Sequence, residues 1–394
     1  EAIPYFEGRD ANYTAHLHRL LEARPAADDA NDAVTRVMVM DQLKNPRDTF
    51  VLDKGGYENK TAMQVFGAVP ALFRAHPQAP GERLDRLGLA RWLVSPENPL
   101  TARVTVNRTW QALFGTGLVK TSEDFGVQGE PPSHPELLDW LSTEFVDSGW
   151  DMKALHRLIV TSATYRQSSR VTAGQYERDR ENRLLARGPR YRMPSWMLRD
   201  QALAAAGLLV EKSGGPAVKP YQPAGVWEEA TFGKKTYEQD HGEALYRRSL
   251  YVFWRRIVGP TTFFDTGARQ VCTVKAPLTN TPLHALVTLN DTAFVEAARV
   301  LAQKAWAAER DDAARLGHAF RAVTARRPTP AEAKILLAQL DTQRKAFGEE
   351  PAEAATFAAV GEAPRNEAID VVDHAAWTAV CLLILNLDEA LSKE

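Results

Sequence analysis

Residues 84–169 constrain the fold most tightly, because apolar residues recur there at helical spacing between short, turn-rich loops. The first such pattern predicts a helix over Leu84 to Val94, ended by Ser95-Pro96. The second runs from Leu100 to Phe114, with Val106, Trp110, Leu113 and Phe114 on one face and Gly115 and Gly117 as terminators. The third opens on a capping box, Ser133 with Glu136, tolerates Pro135 in its first turn, and carries Leu137, Leu138, Leu141 and Phe145 up to Gly149. The fourth, Lys153 to Thr164, aligns Leu155, Leu158 and Ile159 on one stripe. Four amphipathic helices on short loops, SPENPL, KTSEDFGVQGEPPSH and DSGWDM, read as a bundle-like core.

Elsewhere the pattern is looser. Residues Tyr13 to Ala23 read as a helix and PAADDANDA as a polar linker; VTRVMVMDQL and DTFVLDKGGY are β-prone runs, and 58–82 look irregular. A helix of about 15 residues starts at Ser195 after Pro194 and stops at Lys212–Pro216. Residues 213–280 are loop-rich and aromatic, with RRSLYVFWRR as the one expected strand. A long helix over 281–306, bent near Asn290-Asp291, another from Ala331, and a last one from Glu367 to Leu391 with an apolar centre complete the chain. The fold class is mainly α: a multi-helix bundle-like core with a few short β-strands and a long loop-rich aromatic segment. Its expected parts are 1–82, 83–212, 213–280 and 281–394, with 83–394 forming one compact unit.

Composition narrows the function classes. Apolar residues at 44% and charged residues at 25% are ordinary for a folded soluble chain and argue against disorder. A formal charge of −2 gives no broad attraction for nucleic acid or an anionic membrane. The most apolar run, Ala375 to Leu385, is about 11 residues, short of the roughly 20 that a spanning helix needs. Cys272 and Cys381 lie in apolar surroundings, outside any C-x-x-C or C-x-x-C-H pattern, and read as two buried free thiols in preference to the alternative, one disulfide between them. The start at EAIPYFEG, without an initiator Met, is consistent with a processed or excised fragment.

No Walker loop, GxGxxG, GxSxG elbow, HExxH or EF-hand occurs. Three constellations remain. The loop Lys120 to His134 holds Glu123, Asp124, Glu130 and His134, which could serve as acid, base or divalent-cation ligands, or only as loop hydrogen-bonders. Asn107 and Arg108, with Arg103 one turn earlier, offer a guanidinium that could clamp a loop carboxylate or anchor a substrate. Polar residues His156, Tyr165, Arg166, Arg199 and Asp200 interrupt otherwise apolar helices and are ligand-binding candidates. The aromatic segment adds Trp227, Arg247 and Arg248 as a groove for sugars or a partner, although core packing accounts for many of its rings.

The strings RLGLARWLVSPENPLTARVTVNRTWQALFGTGLVKTSEDFGVQGEPPSHPELLDWL, FVDSGWDMKALHRLIVTSATYRQSS, MLRDQALAAAGLL, YRRSLYVFW, TNTPLHALVTLND and LLILNLDEAL carry a resemblance. Over about residues 35–392 the chain resembles a bacterial family of unknown function. That family is typically the C-terminal part of large exported planctomycetal and verrucomicrobial proteins, many with a planctomycete-type cytochrome c domain upstream. The resemblance implies an extracytoplasmic location and partners that are cytochrome c-type domains or glycans. It brings no catalytic set. No haem is attached by this chain, and a divalent cation is the one cofactor its own loop suggests. DKGGY stands where relatives show an Arg-Gly pair, and His284 where they show Gln. The expectation is a binding or scaffolding module beside redox or polysaccharide-processing partners. Its rival is a carbohydrate-active hydrolase using Asp124, Glu130 and His134 with Arg108.

Overall fold

A computed structural model describes residues 9–34, 36–65, 67, 84–255, 257–266, 273–275 and 278–393. The chain divides into two compact units at the Asn98/Pro99 junction.

In the first unit, helix α1 (Ala11–Asp32) is capped by Asp10, whose carboxylate accepts from the N–H groups of Asn12 and Tyr13. It runs straight through the stretch expected to be a linker. Alanines favour the helix, and Pro25 removes only one donor. Strands β1 (Thr49–Leu52) and β2 (Lys60–Val65) form an antiparallel hairpin, pairing Thr49 with Val65 and Leu52 with Lys60. Its tight connection uses positive φ at Lys54 and Gly55, and β2 lies where irregular chain was expected. The other β-prone run, Arg36 to Gln42, forms no strand, because no described segment pairs with it. Helix α2 (Arg86–Leu93) starts on Asp85, whose side chain accepts from Gly88 N–H.

The second unit contains two main hydrophobic cores. Helices α3 (Pro99–Phe114), α4 (Pro135–Asp147) and α5 (Met152–Thr161) bury Val106, Trp110, Phe114, Leu138, Leu141, Phe145, Leu155 and Ile159 together. Trp110 and Phe114 stack with centroids 4.1 Å apart. The expected Ser133 capping box does not form. Helix α4 begins one residue later, at Pro135 with His134 as its cap residue, so Ser133 lies out of reach and its N–H bonds Leu118 O instead. Asp151 caps α5 through Lys153 and Ala154 N–H.

A short helix α6 (Ala173–Arg178) and the two-residue strand β3 (Tyr191–Arg192) lead to α7 (Ser195–Ala206), which ends at Gly207 with φ 74°. The aromatic segment contributes one helix, α8 (Val226–Ala230), and two short 3-10 turns. Where a strand was expected around 247–256, only single bridges occur, Val210 with Arg247 and Val218 with Val252. Side chains from α7 occupy the backbone groups that a sheet partner would have used.

The expected bend at Asn290-Asp291 is a full break. Asp291 ends α9 (Pro282–Asn290) in an extended conformation and caps α10 (Thr292–Ala308) by accepting from Ala293 N–H. Helices α11 (Asp312–Thr324), α12 (Pro330–Glu349) and α13 (Pro351–Ala358) follow, then α14 (Val371–Leu385) and α15 (Asp388–Leu391). Strand β4 (Ser392–Lys393) pairs antiparallel with β3. The second core packs α7, α10, α11, α12 and α14 around Leu301, Phe320, Leu340, Trp377 and Cys381. As its apolar centre predicts, α14 is buried on most sides. Cys381 is a buried free thiol, whereas Cys272 lies outside the described residues, as do Arg256, Arg269 and most of 66–83. Among the described residues no helix is long and apolar enough to cross a membrane.

Candidate functional site

The loop from Gly115 to His134 is fastened to its own helix by a neutral amide, while the half-buried Arg183 donates from outside to Gly117 O at 2.7 Å and Leu118 O at 2.8 Å. Asn107, fully buried at mid-α3, accepts from Val119 N–H at 2.8 Å and donates to Val119 O at 3.0 Å and Ser122 Oγ at 3.3 Å. One amide thus pairs with a backbone as a neighbouring strand would. The fit demands Gly117, since a Cβ there would stand 2.6 Å from Asn107 Nδ2. Further along, Thr121 Oγ1 donates to Asp124 O and accepts from Glu130 N–H, each at 2.9 Å. Asp124 turns its carboxylate onto Gly126 N–H at 2.6 Å.

This geometry does not gather the predicted loop residues into one charged centre. Glu123, Glu130 and Arg108 are exposed, and Arg108 pairs with no described carboxylate. His134 sits half-buried beside Ser133 Oγ at 3.0 Å. Arg103 pairs instead with Asp139 at 2.7 Å. Among the described residues no three His, Cys, Asp or Glu side chains converge as metal ligands.

The helical candidates divide in the same way. His156, Arg166 and Arg248 are exposed, and Tyr165 packs edge-on against Phe114 at 5.6 Å. Arg199, by contrast, is almost fully buried on α7. Its guanidinium donates to Leu245 O at 2.7 Å and Arg247 O at 3.0 Å, while Asp200 accepts from Ser249 N–H at 2.8 Å and Ser249 Oγ at 2.7 Å. Burial pushes the Arg199 guanidinium below its ordinary value, and Asp200 opposes that shift. Arg247 donates to Pro216 O and Lys212 O, both at 3.0 Å, and lies 3.8 Å from the Tyr251 ring. Trp227 is buried between Tyr237 and Phe253 rather than open to a ligand.

The largest buried charge cluster went unread in the sequence. Glu296, on α10, has no exposed surface. Its Oε1 accepts from Ala363 N–H at 2.6 Å and the Tyr246 hydroxyl at 2.9 Å, and Arg299 lies 3.8 Å away. Arg299 donates to Val360 O at 2.9 Å and Ala363 O at 2.5 Å, so both side chains grip the same loop. Gly361 is required between them, with φ 90° and an added Cβ only 2.3 Å from Glu296 Cδ. Tyr221 accepts from Glu362 N–H at 2.9 Å. Burial first, and the Glu296 charge second, raise both phenols, Tyr221 and Tyr246, above their ordinary value. At the surface, His241 Nδ1 meets Glu362 Oε1 at 2.6 Å and holds that carboxyl below its ordinary range. Behind Arg299, burial pushes the His374 imidazole down to about 4. One signal was legible: Glu296 and Arg299, one turn apart, interrupt the otherwise apolar run TAFVEAARVLA.

The helices of the second core border two cavities of very different size. One, of about 10 Å³ beside Leu198, Phe294 and Leu385, has room for little more than a water molecule. The other is an open groove of about 710 Å³ along α11.

Fold and site together define a mainly helical protein whose buried polar side chains bind its own loops. The PSD1 family model, described as a protein of unknown function (DUF1553), matches residues 85–340, and the chain belongs to that family. No curated protein and no solved structure matches it.

Proposed function

We propose that the chain is a binding or scaffolding module that works in an extracytoplasmic compartment beside redox or polysaccharide-processing partners. One observation carries the first half of this reading. The buried members of the candidate site, Asn107, Arg199 and Arg247, and the half-buried Asp200, direct hydrogen bonds to this chain's own backbone. A hydrolase built on Asp124, Glu130 and His134 needs those groups aimed at one reacting bond, and Asp124 faces Gly126 N–H instead. Location and partner class rest on the family resemblance.

The test is a paired assay on the purified chain. Biolayer interferometry against cytochrome c-type domains and a polysaccharide panel should give saturable binding, while chromogenic glycosides and esters should show no turnover. Turnover abolished by Asp124→Asn or His134→Ala would overturn the reading in favour of the hydrolase.

A further inference from the structure

The groove along α11 and the start of α12, at about 710 Å³, lies within the size range of ligand sites. Its floor includes Ala314 and Gly317, and nothing lies within 4 Å of a Cβ placed on Gly317. A partner backbone could therefore approach α11 closely. Around that floor stand His318, Arg321 and Arg327, with Glu309 the one lining carboxylate.

The distribution of charge around the groove is uneven. Arg326, next to Arg327 in sequence, is held by Glu332 at 2.7 Å and Glu389 at 2.6 Å. Arg344 takes Asp312 and Asp373, both at 2.6 Å, and Arg315 takes Asp312 at 3.3 Å. Those pairings engage Asp312, Glu332, Asp373 and Glu389. Among the described residues Arg321 and Arg327 have no acidic partner, and both are exposed. With Glu309 as the lining carboxylate against Arg321 and Arg327, the groove keeps a net positive charge.

We infer that this groove docks an acidic polypeptide segment of a partner protein, its backbone on Ala314 and Gly317 and its carboxylates on Arg321 and Arg327. A polypeptide is favoured over a sugar or a nucleobase because the His318 imidazole is the single ring among the lining residues, too little to sandwich either. The small-residue floor suits the close approach of a helix or extended strand. This inference rests on the binding reading and names the face that performs it.

The test uses N-acetylated hexaglutamate carrying a fluorescein label, titrated with the full chain by anisotropy at low salt. Hexaglutamine with the same label is the neutral control. Saturable binding of hexaglutamate is expected, weakened at least about tenfold in hexaglutamine and in Arg321→Ala/Arg327→Ala, and weakened by added salt. Arg321→Lys/Arg327→Lys should stay within about threefold of the native chain, which separates lost charge from lost fold. Equal binding by the native and double-alanine chains overturns the inference. So does displacement by inorganic phosphate at equal molar concentration, since that marks a small-anion site. If the double-alanine chain still captures the partners found by interferometry, the groove is wrong while the binding reading stands. If the native chain captures nothing, both fail.

Discussion

The loop after α3 and the loop before α14 differ in the charge of the buried helix side chain that fastens each, although Arg183 also donates to the first loop at Gly117 O and Leu118 O. Around Val119 the anchor is a neutral amide, Asn107, sunk in an aromatic core. Around Ala363 it is a buried ion pair, Glu296 with Arg299, braced by Tyr246. A neutral anchor costs little to desolvate and fails only when its bonds are cut. A charged anchor is held in place by its partner, and removing either side strands the other in a low-dielectric interior. The two loops should therefore differ in their response to mutation and to pH.

The largest effect is expected at the charged anchor. Glu296→Ala leaves Arg299 buried without its counter-charge and should cost about 3–5 kcal/mol in urea unfolding. Glu296→Met/Arg299→Met, which removes both charges, should recover most of that loss. A double variant as unstable as the single would break the contrast between the anchors.

Next, Asn107→Ala removes the amide's bonds and leaves the buried Val119 N–H and C=O unpaired, for a loss of about 2–3 kcal/mol. That loss should be the same at pH 7 and pH 5, because no titrating group takes part.

Acid should discriminate between the regions. His374 titrates near 4 when folded, below the ordinary 6.5, so between those values the unfolded chain binds a proton that the folded chain does not. Its contribution is full above pH 6.5 and is lost as pH falls toward 4. From pH 7 to pH 5 this one imidazole should account for about 2 kcal/mol of lost stability, and His374→Gln should reduce the slope by that amount. An unchanged slope would remove His374 as its source.

The smallest effect is expected at Asp124→Ala, which cuts one half-exposed turn bond and should cost less than about 1 kcal/mol by thermal melting. A loss as large as that of Asn107→Ala would make the loop carboxylate a principal anchor.

The helices were legible because their apolar stripes must face a core, and Asp291, which breaks one helix and caps the next, stood out as a polar pause between two apolar runs. The loop anchors were harder to see. Nothing local to Asn107 shows that its amide meets a backbone twelve residues later. The strand expected around 247–256 failed for a related reason. β-propensity was correctly read there, but Arg199 and Asp200 satisfy the backbone of 245–249 from another helix, so no sheet partner is required. Glu296 was visible as a lone carboxylate in an apolar run, yet its partners at 246 and 363 come from distant segments. Long-range polar ties are invisible to periodicity, and this protein's candidate site consists largely of them.

Hydrogen exchange read at single amides tests the central claim most directly. Val119 and Ala363 both lie in loops, and both donate to a buried side chain. Slow exchange of both amides in the native chain is predicted, with Asn107→Ala releasing Val119 alone and Glu296→Gln altering Ala363 alone. Exchange of both at ordinary loop rates in the native chain would contradict the view that these polar side chains exist to hold the chain to itself.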